Sequence, residues 1–417
     1  SKVVYMGQIE ALGAAHVYSI NANGSSKQTI DDGIPGTLVS FNIVSDTYVI
    51  VYTLTAGNAI EMYSVRIDGV GSAVRLNKTL PAGGNVVQSE ATADGQWVVY
   101  RADATTDENF QLFSVQIDGT NHSVLSGVNI LNGDVQDFTL SPDSQRVVWT
   151  GDLIVDERVD LYSRPVDGSQ ILSLLDTSGD DVERPLVSPD SQWVAYIRDS
   201  VTQGEHLRFT PIDSNQSDAA SLYFADKITQ MFTFAFSPDS RHLTFIYDAG
   251  TAGKRNLNSD AILSNTPTYA LAGNADILDF EITPDSRYAI SRSNDKNFLA
   301  ISKLDAVQGY IMTDLAAGRS VEQFALTPQG DYVVYRADRN AADTVELFAV
   351  PLRFQPNMAT ETTKLNGIFS TFNDVTSFQL SAQGDVVYRA DSTAADEKFE
   401  LYARGNQHQV FLPLVVR

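Results

Sequence analysis

Polar side chains recur in this sequence nine residues before each of a series of turns, and half of them are carboxylates. The members that could do chemistry are Asn85, Asp134, Asp181, Asp276 and Asp374. If these side chains converge on one mouth of a pore, they form an acidic funnel for a cation or a basic peptide. The alternative is that each side chain caps the turn that leads into the following strand, which is the commoner use of such residues.

Three further charged residues, Asp137, Arg184 and Asp279, stand six residues before the same turns. The side chains two positions later are also mostly polar. Because the side chains of a strand alternate between two faces, these positions share one face. A polar face of this kind fits either a water-filled central channel or a polar seam between neighbouring units. The residues of both groups are our candidates for a binding site at a channel mouth.

A second motif joins an Arg-Ala-Asp run to another aspartate four or five residues later. The aspartate pairs are Asp103 with Asp107, Asp338 with Asp343, and Asp391 with Asp396. Ca²⁺ prefers roughly six to eight oxygen ligands in a dedicated loop, and no such loop is present in the sequence. We therefore predict that the protein has no cofactor, with Ca²⁺ as the alternative.

In place of a metal site, we expect the first aspartate of each motif to close its own turn. The arginines of the motif should then pair with nearby polar side chains or with a neighbouring aspartate. The expected pairs are Arg101 with Gln111, Arg336 with Glu346, and Arg389 with Glu400.

Catalytic motifs are scarce in this sequence. It lacks the Gly-x-Ser-x-Gly elbow of hydrolases, and its 0 cysteines exclude cysteine nucleophiles and disulfides. No two of its five histidines stand at the spacing of metal ligands, and we expect His16 to lie on the surface. We therefore predict a non-enzymatic protein. The alternative is a lyase or hydrolase at one mouth of a central channel, for example with the carboxylates of Glu90 and Glu281.

A repeat positions all of these residues. Turns such as Ser141-Pro-Asp-Ser144 recur every 44 to 54 residues, and the units begin near residues 37, 85, 134, 181, 230, 276, 320 and 374. Each unit contains four short runs of alternating β-branched and aromatic residues, here named strands A to D. Units of this length with four strands predict an all-β fold, a β-propeller of four-stranded antiparallel blades. We expect one propeller domain over residues 1–417.

A partial unit at residues 1–30 supplies strands B, C and D without a strand A. Counting strands therefore favours nine blades with the first blade incomplete, and eight blades are the alternative. An unpaired strand edge invites another strand. We predict that the position beside Val3 and Tyr5 is filled by a segment upstream of Ser1, by a partner or by a neighbouring copy.

Phenylalanine dominates the position five residues before the turns and should pack between blades. The residues are Phe41, Phe138, Phe234, Phe280, Phe324 and Phe378. Ser89 and Pro185 are the exceptions.

The Ser-Pro-Asp turn, the Val-Val-Tyr-Arg-Ala-Asp run and the Glu-Leu-Phe/Tyr strand resemble the TolB-type propeller repeat of bacterial envelope and secreted proteins. They also resemble the propeller that precedes the hydrolase domain in prolyl-oligopeptidase-like enzymes. The resemblance covers essentially the whole chain, and no hydrolase domain accompanies it. It implies a β-propeller in an extracytoplasmic location, that is, secreted, on the cell surface or in the periplasm.

Charge and hydropathy narrow the class of partner. The chain has 29 basic and 52 acidic residues, a net charge of −23. Nucleic acids and anionic membrane surfaces attract clustered basic residues instead. The longest apolar runs are far shorter than the roughly 20 residues that a membrane-spanning helix needs. We therefore expect a protein partner or a neighbouring copy, and a role as a scaffold for protein interaction or surface assembly.

Overall fold

The computed structural model describes residues 2–8, 14–55, 57–127, 133–170, 172–176, 179–200, 204–214, 220–221, 230–248, 254–262, 269–271, 275–294, 297–313, 315–342, 344–366, 374–391, 399–404 and 409–414. The chain divides into two compact units, Ser1–Tyr223 and Phe224–Arg417, named the first and second unit below. That the repeats form a single domain stays a prediction.

The first unit contains five antiparallel sheets in its described residues. Their strands are β1 Lys2–Gly7, β2 His16–Asn21, β3 Gln28–Thr29, β4 Thr37–Ile43, β5 Tyr48–Leu54, β6 Ile60–Arg66, β7 Val74–Arg75, β8 Val86–Ala91, β9 Trp97–Thr106, β10 Asn109–Gln116, β11 Ser123–Val124, β12 Val135–Leu140, β13 Arg146–Gly151, β14 Asp160–Pro165, β15 Ser173–Asp176, β16 Asp181–Val187, β17 Trp193–Ser200, β18 Gly204–Pro211 and β19 Ala220–Ser221.

The second unit contains four more antiparallel sheets in its described residues and a short 3₁₀ helix, Met358–Glu361. Its strands are β20 Gln230–Phe236, β21 His242–Asp248, β22 Arg255–Ala261, β23 Tyr269–Ala270, β24 Ile277–Ile282, β25 Tyr288–Ser293, β26 Leu299–Lys303, β27 Gly309–Ile311, β28 Val321–Leu326, β29 Tyr332–Ala341, β30 Thr344–Pro351, β31 Thr363–Lys364, β32 Val375–Leu380, β33 Val386–Asp391, β34 Phe399–Arg404 and β35 Gln409–Leu414.

Every sheet joins strands that follow one another in the chain. The first sheet has three strands, β1-β2-β3, and each of the other eight has four. This pattern confirms the predicted four-stranded antiparallel units, and within the described residues the first unit has three strands. No helix in the described part of the chain is long and apolar enough to cross a membrane.

The Ser-Pro-Asp-Ser turn has two tasks. Within its own hairpin, Ser141 Oγ donates to Asp143 Oδ1 at 2.6 Å, which fixes the turn between β12 and β13. The last serine of the turn, Ser144, has a positive φ of 66° and reaches the preceding sheet, where its Oγ accepts a hydrogen bond from Asp94 N at 3.1 Å. Asp143 and Ser191 repeat this contact at 3.0 Å. Serine tolerates this left-handed position at a cost, and its hydroxyl joins consecutive sheets.

The apolar core lies between consecutive sheets. Phe138 on β12 is 4% exposed and packs with Leu112 of the preceding sheet and with Trp149 of its own. The equivalent Phe324 and Phe378 are also buried, in the second unit. For these residues the predicted packing between blades is confirmed, and the face that carries the phenylalanine is the face toward the preceding sheet.

Candidate functional site on the inner strands and their loops

The candidate side chains nine residues before the turns all accept a hydrogen bond from the backbone of the preceding sheet. Each donor lies within one residue of the start of the third strand of that sheet. The acceptor and donor residues are Asn85 and Ile60 (2.9 Å), Asp134 and Phe110 (2.6 Å), Asp181 and Val159 (3.0 Å), Asp276 and Arg255 (3.1 Å), and Asp374 and Val345 (2.7 Å). Each of these side chains therefore caps a backbone N–H of the neighbouring sheet, and Asn85 also donates to Gly83 O in its own turn at 2.7 Å.

The first aspartate of the Arg-Ala-Asp motif accepts a hydrogen bond from the backbone N–H of the capping residue in its own sheet. Asp103 Oδ1 accepts from Asn85 N at 2.5 Å, and Asp103 Oδ2 accepts from Glu108 N at 3.1 Å within its own loop. Asp152 holds the backbone of Asp134 in the same way, at 2.6 Å. The prediction that Asp103 closes its own turn is confirmed. The side chains of Asp343, Asp391 and Asp396 lie outside the described residues.

The predicted partners of Arg101 and Arg336 are wrong. Arg101 Nη1 donates to Val135 O at 3.0 Å in the following sheet, whereas Gln111 accepts a hydrogen bond from Thr105 Oγ1. Arg101 stands opposite Leu112 in the β9–β10 register, one position away from Gln111. Because side chains alternate along a strand, Arg101 and Gln111 point to opposite faces.

The second unit repeats this arrangement. Arg336 Nη1 donates to Val375 O at 2.9 Å in the following sheet, and Glu346 pairs with Lys364. The register places Arg336 opposite Leu347 and not opposite Glu346. The side chain of Glu400, the expected partner of Arg389, lies outside the described residues.

Replacing Asp134 tests the capping role. Asp134→Ala removes the acceptor for Phe110 N and should lower the free energy of unfolding by about 1–3 kcal/mol. Asp134→Asn should change it by less than about 0.5 kcal/mol, because Asn85 performs the same task at the equivalent position. Burial also raises the pKa of the Asp134 carboxyl, so the charge itself adds little. Urea unfolding of both variants checks this, and equal losses would contradict the capping role.

Asp276 differs from the other capping residues because it also forms an ion pair with an arginine of its own chain. Arg255 Nε and Nη2 donate to its two oxygens at 2.8 and 2.9 Å, and Asn294 Nδ2 donates at 3.1 Å. The Arg255 guanidinium holds the pKa of the Asp276 carboxyl well below its usual range. This carboxylate therefore stays charged at any physiological pH.

The three candidates six residues before the turns have separate surroundings. Asp137 Oδ1 accepts from Gln88 Nε2 at 2.8 Å, so these side chains form a polar seam between β8 and β12. Asp279 pairs with Arg292 of its own sheet at 2.6 Å. Arg184 has a φ of 53° at a register shift in β16, and its Nε lies 3.9 Å from Glu183 Oε2.

Two glutamates on the inner strands have carboxyl groups with a raised pKa. Partial burial and the charge of Asp137 raise the pKa of Glu90 on β8. Burial also raises the pKa of Glu281 on β24, whose Oε2 accepts from Leu326 N at 3.0 Å in the following sheet. The two glutamates belong to different units.

The first sheet leaves a gap at the position that strand A occupies in the other sheets. Within the described residues, β1 pairs with β2 alone. On the neighbouring β4, Ile43 is 58% exposed. Val187, the equivalent of Ile43 on β16, is only 7% exposed and packs against a four-stranded sheet. We name the space bordered by Ile43 and by the edge of β1 that has no partner strand in the described residues the strand slot.

A histidine contact escaped the sequence analysis. His16 Nδ1 lies 3.2 Å from Asp31 Oδ1, and Asp31 is buried. The ligand atoms of His16, Asp31 and Asp32 all lie within 4.8 Å of one another. The His16 side chain is 41% exposed, in agreement with the predicted surface position, and it also has a carboxylate partner. The spacing of these residues in the sequence does not reveal the contact, because it is the pairing of β2 with β3 that brings them together.

Comparisons with known proteins identify the fold. No family model matches the chain, and no curated protein matches it. The solved structures include a eukaryotic initiation factor, at 11% identity and a TM-score of 0.56, with 97% of this chain and 93% of that chain covered. The chain has a β-propeller fold.

Two peptidase structures are less similar. The tricorn protease is 12% identical with a TM-score of 0.43, and the match covers 94% of this chain and 40% of that one. Prolyl oligopeptidase B from Galerina marginata is 12% identical with a TM-score of 0.43, over 76% of this chain and 49% of that one. The chain therefore spans about half or less of either peptidase.

Proposed function

We propose that this β-propeller is a non-enzymatic, extracytoplasmic protein-interaction module, and that the strand slot accepts one added β-strand, supplied by a partner protein or by chain upstream of Ser1. The observation that carries the proposal is that, in the described residues, the edge of β1 is unpaired beside the exposed Ile43 of β4. Strand addition to an exposed sheet edge is a common mode of peptide recognition, in which the main chain supplies affinity and side-chain pockets supply specificity.

The contacts that the recurring polar residues make support a binding role over catalysis. The recurring carboxylates and arginines hold backbone groups of neighbouring sheets, as the contacts of Asp134, Asp374 and Arg101 illustrate. Side chains that fix one sheet to the next act as part of the scaffold. A scaffold of rigid blades presents its free edges and loops to partners.

The repeat itself specifies the chemistry of the partner strand. The strand should be extended, should place an apolar side chain over Ile43, and should leave its backbone free to pair with β1. It should carry little negative charge, because the chain has a net charge of −23 and like charges oppose association. The inner strand β28 meets these requirements in the second unit with a single acidic residue, Glu322.

A peptide copy of this strand tests the proposal. We expect the peptide Ser-Val-Glu-Gln-Phe-Ala-Leu-Thr to bind the full chain at one site by calorimetry. Ile43→Asp should weaken the binding at least tenfold, because it places a charge at the apolar border of the strand slot. Val307→Asp serves as the control at an exposed valine of the second unit. It should leave the affinity unchanged.

Three outcomes would contradict the proposal. They are absence of binding, equal binding by the Ile43→Asp variant, and binding of a scrambled peptide with the same affinity. Concentration-dependent dimers that the peptide does not dissociate would identify a second copy as the occupant of the strand slot, and would also contradict a partner strand.

A further inference from the structure

Asp31 in the first sheet is a buried carboxylate with an unusual partner. Its side chain is only 7% exposed, and the one hydrogen-bond partner of its carboxylate within the described residues is His16 Nδ1, at 3.2 Å. No lysine or arginine pairs with it in the same part of the chain. A buried carboxylate is costly unless a cation or several hydrogen bonds compensate for the lost solvent. The surroundings of Asp31 therefore favour a bound cation.

The repeat shows how this position is used elsewhere. In four other sheets the equivalent side chain accepts a hydrogen bond from a backbone N–H of strand C. The acceptor and donor residues are Asn77 and Met62 (2.9 Å), Ser126 and Leu112 (3.1 Å), Thr313 and Leu299 (2.9 Å), and Asn366 and Leu347 (2.8 Å). The backbone defines the equivalence, because the residue before each acceptor donates to the carbonyl of the same strand C residue, as Ile30 N does to Val17 O. Asp31 departs from this pattern and contacts His16 instead.

A carboxylate recurs at this position in the sheet of β12 to β15, and there an arginine neutralises it. Asp176 stands opposite Leu161 and accepts from Arg198 Nη2 at 2.8 Å, on β17 of the following sheet. Arg198 is the sixth residue of β17, and the sixth residue of β5 is Thr53. Because β5 belongs to the sheet that follows the first one, a threonine stands where Asp31 would meet an arginine.

Thr53 leaves this place uncharged and its own hydroxyl unsatisfied. The side chain is 3% exposed, and its Oγ1 has no hydrogen-bond partner within the described residues. Val49 and Val51 share an apolar cluster with Val17 and Ile30 of the first sheet. Because side chains alternate along a strand, Thr53 points toward that sheet as well. At the position of the arginine, this pair of sheets therefore has an unpaired hydroxyl and no positive charge.

Three side chains supply possible metal ligands at this point. The ligand atoms of His16, Asp31 and Asp32 all lie within 4.8 Å of one another. Two ligands of a tetrahedral zinc ion, each at about 2.0–2.1 Å from the metal, lie roughly 3.4 Å apart. The 3.2 Å between His16 Nδ1 and Asp31 Oδ1 is close to this spacing. Zn²⁺ accepts a nitrogen ligand together with carboxylate oxygens, whereas Ca²⁺ and Mg²⁺ favour oxygen ligands alone. The donor set therefore favours Zn²⁺ over the other two ions.

We propose that His16, Asp31 and Asp32 bind one Zn²⁺ ion, which supplies the positive charge that Arg198 supplies beside Asp176. Three protein ligands leave a fourth position for water, and Asp32 is exposed, so solvent reaches this side of the ion. The ion links β2 to the segment that follows β3. One histidine suffices for this site, so the spacing of histidines in the sequence does not reveal it. The inference goes beyond the strand slot, since none of the ligands lies on β1 or β4.

Zn²⁺ is the probe, in calorimetry on the full chain after treatment with a chelator. We expect one Zn²⁺ ion to bind saturably per chain, and Asp31→Asn to weaken this binding at least tenfold. Asparagine fits the position, because Asn77 and Asn366 hold it in other sheets, so this variant should fold like the parent. His16→Gln should also weaken the binding at least tenfold. His122→Gln, at an exposed histidine of the same unit, should leave the affinity unchanged.

Circular dichroism and thermal unfolding of the metal-free proteins control for folding. If Asp31→Asn does not fold, Asp32→Asn at the exposed carboxylate gives the same test, with an expected loss of affinity of at least fivefold. Absence of saturable Zn²⁺ binding to the parent protein overturns the proposal. Equal affinity of the parent and the Asp31→Asn variant also overturns it, as does displacement of Zn²⁺ by an equal concentration of Ca²⁺.

Discussion

Replacing Phe138 with alanine is expected to lower the free energy of unfolding by about 3–5 kcal/mol, the usual cost of removing a buried phenylalanine. Phe138 is buried between two complete sheets, against Leu112 and Trp149. Phe41 holds the same position in the repeat but is only half-buried beside the incomplete first sheet. Phe41→Ala should therefore cost roughly half as much.

Urea unfolding followed by tryptophan fluorescence measures both losses, because all 3 tryptophans lie in the first unit. Similar losses for the two alanine variants would show that Phe41 is as well packed as Phe138. That result would contradict the open strand slot. Addition of the strand peptide should raise the cost of Phe41→Ala and leave that of Phe138→Ala unchanged.

The second large effect is expected at Asp176, the centre of a buried ionic cluster. This carboxylate is almost fully buried and accepts hydrogen bonds from Tyr196 Oη at 2.7 Å and from Arg198 Nη2 at 2.8 Å. Asp176→Ala leaves Arg198 buried without its counter-ion and should cost about 3–5 kcal/mol. His206 lies near Arg198 and Arg208, and burial with these two charges lowers its pKa.

The matched control is an ion pair on the surface of the same unit. Arg66 Nη2 lies 2.5 Å from Asp68 Oδ2, and both side chains are exposed. Asp68→Ala should therefore lower the stability far less than Asp176→Ala, because solvent already screens the pair. Equal losses at Asp176 and Asp68 in urea unfolding would show that burial does not strengthen the first pair.

The strands and turns were predictable from local sequence because each depends on few neighbours. The turn Ser141-Pro-Asp-Ser144 combines a proline, a carboxylate and a positive-φ serine, and alternating residues such as Val147 and Trp149 define the strand that follows. That the first sheet has three strands in the described residues was also predictable, because it follows from counting. In each case the evidence lies within one unit of the repeat.

Contacts between sheets were harder to predict because they need the register of two hairpins. The sequence indicates that Asp134 caps a backbone N–H group, but only the packing of β10 against β12 places Phe110 N within its reach. The pairing of Arg101 with Gln111 failed for a related reason, since one position of register decides which face a side chain takes. The contact of Ser89 with Tyr52 did leave a signal, because serine interrupts a column of phenylalanines.

Hydrogen exchange at β1 tests the central claim, that the strand slot accepts one added strand, most directly. In the isolated chain, alternate amides of Val3–Met6 point away from β2 and should exchange rapidly. Binding of the peptide Ser-Val-Glu-Gln-Phe-Ala-Leu-Thr should slow these amides at least tenfold and leave those of β9, which is already paired on both sides, unchanged. Full protection of β1 without the peptide, or rapid exchange at a saturating peptide concentration, would contradict the claim.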